Sequence, residues 1–161
     1  AAKRFAELDK AGKGLGLASP NVVAKGAIGG EQVVVTYGSP RRRGRAILGN
    51  VVQYDKVWRT GANAATLILF DKPMLIGTTT FPAGAYSLWT LPKKDGTVDL
   101  IVNEQHGQYG TDYDGSHDLA HIPMKVATSA SPEENFTIAI ADGALSMRWD
   151  TFVWSVPMAL K

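Results

Sequence analysis

The chain has 161 residues, with Lys+Arg 17 against Asp+Glu 15, 45% hydrophobic side chains, 17 Gly, 8 Pro and no Cys, which is the balance of one ordinary globular domain. A chain of this size buries roughly 70% of its unfolded surface, so its core needs no metal or disulfide. Disulfide scaffolds, zinc ribbons, thiol nucleophiles and Cys-held clusters are excluded, because each needs a thiolate, and no apolar run approaches the ~18 residues of a membrane helix.

The formal net charge of +2 hides an asymmetry. Residues 1–60 hold eleven Lys/Arg against four Asp/Glu, and residues 61–161 hold six against eleven. Halves of opposite sign either neutralise each other inside the fold or leave one basic and one acidic face, the second arrangement suiting head-to-tail association into a homo-oligomer. The chain opens on Ala1, which with the lack of cysteine leads to the expectation of a removed leader and of export to the periplasm or beyond.

In chain order, Phe5 and Leu8 stand three apart among charges between Lys3 and Lys10, enough for a short amphipathic helix that Gly12 and Gly14 would end. The Gly- and Ala-rich stretch that follows makes residues 1–30 an N-terminal arm and residues 31–161 the domain. Val33 to Tyr37 is a β-branched and aromatic run before Gly38-Ser39-Pro40 and predicts a buried strand. Thr66 to Phe70 predicts another. From Ala85 to Leu91, Tyr86 and Leu88 alternate with Ser87, Trp89 and Leu91, and Lys93-Lys94-Asp95-Gly96 turns the chain into a strand facing Val98, Leu100 and Val102 inward. Period-two runs continue at Ile122, Met124 and Val126, at Phe136, Ile138 and Ile140, at Leu145, Met147 and Trp149, and at Phe152, Trp154, Val156 and Met158. Asp142-Gly143 marks a turn. These signals predict an all-β antiparallel sandwich of about eight or nine strands. Residues 41–65 follow neither period and form an irregular loop, and a loop of that length inside a compact domain is commonly functional or specially packed.

Within that loop, Ser39-Pro40-Arg41-Arg42-Arg43-Gly44-Arg45-Ala46-Ile47-Leu48-Gly49 and Val52-Gln53-Tyr54-Asp55-Lys56-Val57-Trp58-Arg59-Thr60-Gly61-Ala62-Asn63 resemble the signature of the bacterial DUF2911 family. Pro82 to Leu88, Asn103, Tyr109-Gly110, Tyr113, Asp118 and Trp149 follow as similar landmarks, so the resemblance covers about residues 19 to 158. It implies a small all-β protein, often exported, and brings no activity with it. The chain departs from the family pattern at Tyr109, where Trp is usual, and at His121, where Arg is usual. If the family Arg pairs with the Asp, the surroundings of Asp118 are altered here.

Three constellations carry candidate chemistry. Arg45, Tyr54, Trp58, Arg59 and Asn63 combine fixed cations, aromatic faces and an amide, the equipment of a small-molecule or protein-binding pocket, or equally of a structural corner whose side chains satisfy loop carbonyls. His106, His117, Asp118 and His121 crowd into sixteen residues and suit a divalent metal, hence a metal-binding protein or metal-dependent hydrolase, or equally a solvated polar loop. His117 and His121 mimic a two-His helical motif, but Gly115 and Pro123 leave barely one turn, and on a strand they would stand ~13 Å apart. The run Arg41-Arg42-Arg43-Gly44-Arg45 could grip phosphates with Tyr37 and Tyr54 nearby, or form a solvated turn with one member in a salt bridge and Arg45 as its structured member. A pI near 8.9 and a charge of +2 fall short of a nucleic-acid footprint. No Ser sits in a nucleophile elbow, and Glu133-Glu134 after Ser131-Pro132 reads as a turn or helix start. No catalytic residue and no cofactor beyond a possible divalent metal is therefore expected.

Overall fold

A computed structural model describes residues 19–161 as two antiparallel β-sheets packed face to face. The first sheet runs β1 (Asn21–Ile28), β2 (Glu31–Gly38), β3 (Ala62–Phe70), β6 (Gly84–Pro92), β7 (Val98–Asn103), β8 (Asp118–Pro123). The second runs β5 (Thr79–Phe81), β4 (Met74–Ile76), β10 (Ala144–Leu160), β9 (Lys125–Ala141). The helix expected over Lys3–Lys10 and the arm as far as residue 18 lie outside the described residues. No helix among the described residues is long and apolar enough to cross a membrane.

Alternation explains the core. Val33, Val35 and Tyr37 of β2, Ile68 and Phe70 of β3, Leu88 of β6, and Leu100 and Val102 of β7 face Phe136, Ile138 and Ile140 of β9 and the inward residues of β10 in one buried cluster. Trp149 and Trp154 are both fully buried within it, as their strand pattern predicts. The opposite face of the six-stranded sheet is covered too: Trp89 and Ile101 sit under Val57, Leu91 and Tyr113. Both parities of β6 are therefore buried.

The structure differs from the sequence reading at several places. Residues 21–28, assigned to the arm, pair along their whole length with β2 as an edge strand. Gly26 permits a close approach there, because a Cβ on it would overlap the Ile140 carbonyl of β9, where the two sheets meet. The run Ile122, Met124, Val126 is not one strand, since the chain leaves the first sheet after Pro123 and enters the second at Lys125. Val126 consequently points outward, 45% exposed. The two runs from Leu145 and from Phe152 are one strand, β10, whose buried positions change from odd to even. Register shifts around Asp150 accommodate the change, and Asp150 itself takes φ 49°, a left-handed conformation that Asp tolerates. Opposite it, Glu133 and Glu134 belong to the irregular part of β9 and not to a turn or helix.

The irregular loop ends earlier than expected, with β3 beginning at Ala62. Its apolar residues lack a period because it plugs one end of the sandwich: Ile47 and Val52 are fully buried and join the main cluster. Its β-pairing is limited to isolated bridges, Leu48 to Val52 and Trp58 to Thr90 among them.

Candidate functional site

The basic run is held by a segment more than ninety residues away. Ser39 Oγ donates to the Phe136 carbonyl at 2.7 Å, and Phe136 N–H donates to the Pro40 carbonyl at 2.9 Å. Arg42 N–H reaches the Glu134 carbonyl at 2.7 Å, Arg43 N–H reaches Glu134 Oε2 at 2.9 Å, and Arg41 Nη1 donates to Asn135 Oδ1 at 2.6 Å. Arg42 is the member that enters a salt bridge, with Asp150 at 3.1 Å. Arg45 is the member that orders the turn: its Nε and Nη2 donate to the carbonyls of Arg42 and Arg41 at 3.0 and 2.7 Å. Each such bond adds about 1 kcal/mol net, and together they remove the freedom a four-arginine turn would otherwise keep.

The second wall is the Trp58 segment. Trp58 exchanges backbone hydrogen bonds with Thr90, and its ring packs on Phe136 at 5.0 Å and on Trp149 at 5.9 Å between centroids. Thr60 takes φ 55° with its hydroxyl 3.0 Å from that of Thr90, and Thr66 Oγ1 donates to the Thr60 carbonyl at 2.6 Å. Arg59, between these anchors, is half-buried. It lies along Gly110, where a Cβ would come within 2.6 Å of Arg59 Cδ and of the Asn63 carbonyl. Gly110 N–H donates to that carbonyl at 2.8 Å.

Together the two segments line a cavity of about 310 Å³, with Arg41, Arg43, Arg45 and Arg59 around it, Pro40, Val51, Ala62, Trp58 and Trp149 as its apolar lining, and Ser19 at its margin. Among the described residues no carboxylate lines it. Among the described residues none of these four arginines makes a salt bridge. Of the five residues singled out for ligand binding, Arg45, Trp58 and Arg59 are brought together here. Tyr54 is 37% exposed and lies over Gly49, outside the cavity, and Asn63 braces the chain by donating to the Ser19 carbonyl at 3.1 Å. Tyr37 is unavailable for stacking because it is buried, its hydroxyl accepting from Ile138 N–H at 3.0 Å. Arg41 and Arg43 were legible only as a charge run; their placement depends on Glu134 and Asn135.

The histidine-rich segment is organised differently. His117 ends a single 3-10 turn and its Nδ1 lies 2.5 Å from Glu104 Oε1, which raises its pKa above the usual 6.5. Asp114 caps that turn, and the hydrogen bonds from Ser116 hold its carboxyl below the ordinary carboxylate range. Asp118 accepts from Asn103 Nδ2 at 2.9 Å, from the Tyr113 hydroxyl, and pairs with His121 Nε2 at 3.0 Å. Burial first, and then the Asp118 hydrogen bond, push the Tyr113 phenol well above its usual value, so it remains a donor. His121 thus occupies the place beside Asp118 where a cation was anticipated. His106 sits apart, on a hollow shared with Glu104, Asp112 and Asp114. His106, His117, Asp118 and His121 do not converge, and among the described residues no group of three or more His, Asp or Glu side chains is placed to share a metal ion.

The fold and the cavity define a class: a β-sandwich with one end plugged by a loop that carries a basic, Trp-walled hollow. The chain belongs to the DUF2911 family, described as proteins of unknown function, which matches it over residues 19–158 and so includes every element of the site. No curated protein and no solved structure matches the chain.

Proposed function

We propose that this is a non-catalytic, exported protein that binds a small anionic molecule in the cavity between the 41–45 turn and Arg59. The observation that carries the reading is a cavity to which four arginines contribute, with no carboxylate residue among its described lining residues. Like charges gathered this closely repel, and a bound anion relieves that repulsion. The volume, about 310 Å³, stands at the small end of ligand cavities. Binding is favoured over catalysis by the chemistry of the described lining: its ionisable side chains are arginines, and a guanidinium does not exchange protons near neutral pH. Trp58, half-buried and stacked on the aromatic cluster, offers a rigid flat wall at little entropic cost.

Titration calorimetry with phthalate and phenyl phosphate, beside neutral benzamide, tests this, with tryptophan fluorescence as a second readout. The anions are expected to bind and benzamide not to. Arg59→Lys keeps the charge but loses the fork, and is expected to weaken binding at least about tenfold, a loss of roughly 1.4 kcal/mol, with an unchanged Tm. Failure of every anion to bind, or equal binding of benzamide, refutes the reading.

A further inference from the structure

Resting on that reading, we infer that the group recognised in the cavity is a phosphate dianion, free or as a monoester, and not a carboxylate. The argument is one of direction and supply of donors. A carboxylate offers two coplanar oxygens, both of which a single arginine fork engages in one plane. A phosphate offers three peripheral oxygens at the corners of a tetrahedron, and these accept from several directions at once. The cavity supplies donors in that second way. Arg41, Arg43 and Arg45 come from a turn fixed to β9 through Glu134 and Asn135, whereas Arg59 comes from a separate segment fixed to Thr90 and seated on Gly110.

The donors also differ in what remains free. Arg41 has one nitrogen on Asn135, and Arg45 has two on backbone carbonyls. Among the described residues, the side chains of Arg43 and Arg59 form no hydrogen bond and no salt bridge. One wall therefore holds partly engaged, geometrically locked guanidiniums, and two unengaged ones stand beside them. Among the described residues, the acids that touch this turn are already committed, Glu134 to Arg43 N–H and Asp150 to Arg42. A ligand carrying two negative charges on one compact head balances this wall better than a single carboxylate.

The test compares inorganic phosphate, phenyl phosphate, phthalate and benzoate by calorimetry on the full chain. Phthalate carries the charge of a phosphate dianion in two planar groups, so it separates geometry from charge. The phosphates are expected to bind at least about tenfold more tightly than phthalate or benzoate. A further gain for phenyl phosphate over inorganic phosphate assigns the ligand as an ester lying along Trp58, and equal affinities assign free phosphate. Arg59→Gln and, independently, Arg43→Gln are each expected to lower phosphate affinity about fivefold or more with Tm unchanged; Arg43 is exposed, so that variant keeps the test alive if Arg59→Gln is unstable. Carboxylates binding as well as phosphates, or phosphate binding that neither variant weakens, overturns the inference and leaves anion binding standing. If none of the four anions binds, both readings fall.

Discussion

The 41–62 loop and the 104–121 segment look alike as strings of polar residues, yet they stand in opposite electrostatic states. In the first, four arginines line a cavity with no carboxylate residue among its described lining. In the second, His117 has Glu104, His121 has Asp118, Tyr113 has Asp118, and Asn103 donates to both Asp118 and the Asp114 carbonyl. A cluster whose members satisfy one another is a brace, because its polar groups have no remaining capacity to exchange for a ligand. A cluster of one sign keeps electrostatic capacity for a ligand of the other sign. Local composition does not distinguish the two; the partner list does.

The largest expected effect breaks the floor of the first region. Phe136 is fully buried under Trp58 and Trp149, and its backbone anchors the Ser39–Pro40 corner. Phe136→Ala should cost about 3–5 kcal/mol in denaturant unfolding and abolish anion binding, since Trp58 loses its floor. Next comes Asp118→Ala. It strips an acceptor from Tyr113 and from buried Asn103, and should cost about 1–3 kcal/mol while leaving anion affinity within about twofold. That independence is expected because Gly110, which seats Arg59, is tied to Asn63 and, through the Tyr109–Ala64 bridge, to β3, not to Asp118. A parallel loss of affinity in calorimetry would show that the two regions are one unit.

Gly110→Ala addresses the single point where they touch. Its backbone conformation accepts any residue, so the effect is steric: the new Cβ meets Arg59 Cδ and the Asn63 carbonyl at 2.6 Å. Overpacking of this kind costs about 1–3 kcal/mol, and displacement of Arg59 should reduce anion affinity about tenfold. Unchanged affinity would mean that Arg59 does not reach the ligand from its present seat.

How far each region could be read beforehand follows from the range of its contacts. Strands β2, β3, β6 and β7 are legible because alternation is a local property and Val33, Ile68, Leu88 and Leu100 each repeat it. Strand β1 is not, because Gly26 is chosen by the proximity of Ile140, more than a hundred residues away. The hairpin of β4 and β5 is too short, at three residues a strand, to show any period. In the cavity, Trp58 and Arg59 stand out locally, whereas the selection of Arg41 and Arg43 is made by Glu134 and Asn135 across the sandwich. The histidines mislead for the complementary reason: spacing shows that they are near, but not that Glu104 and Asp118 already hold two of them.

The smallest effect separates the regions by pH. The Glu104 hydrogen bond raises the pKa of His117 above its unfolded value of 6.5. A raised value means that the folded protein binds the proton more tightly, so the stabilisation is fully present below about pH 6.5 and fades as pH rises through the folded value. Asp114 runs the other way: its lowered pKa adds stability above the ordinary 3.8 that is lost as pH falls through the folded value. Between those limits both contributions are present. The Tm difference between the wild type and His117→Gln should therefore be larger at pH 5.5 than at pH 8.5. Arg59→Gln should show no such change, because a guanidinium keeps its charge over the whole interval. A constant His117→Gln difference across that interval would mean that the Glu104 pair does not form in solution, and the segment would then owe its order to Asp118 alone.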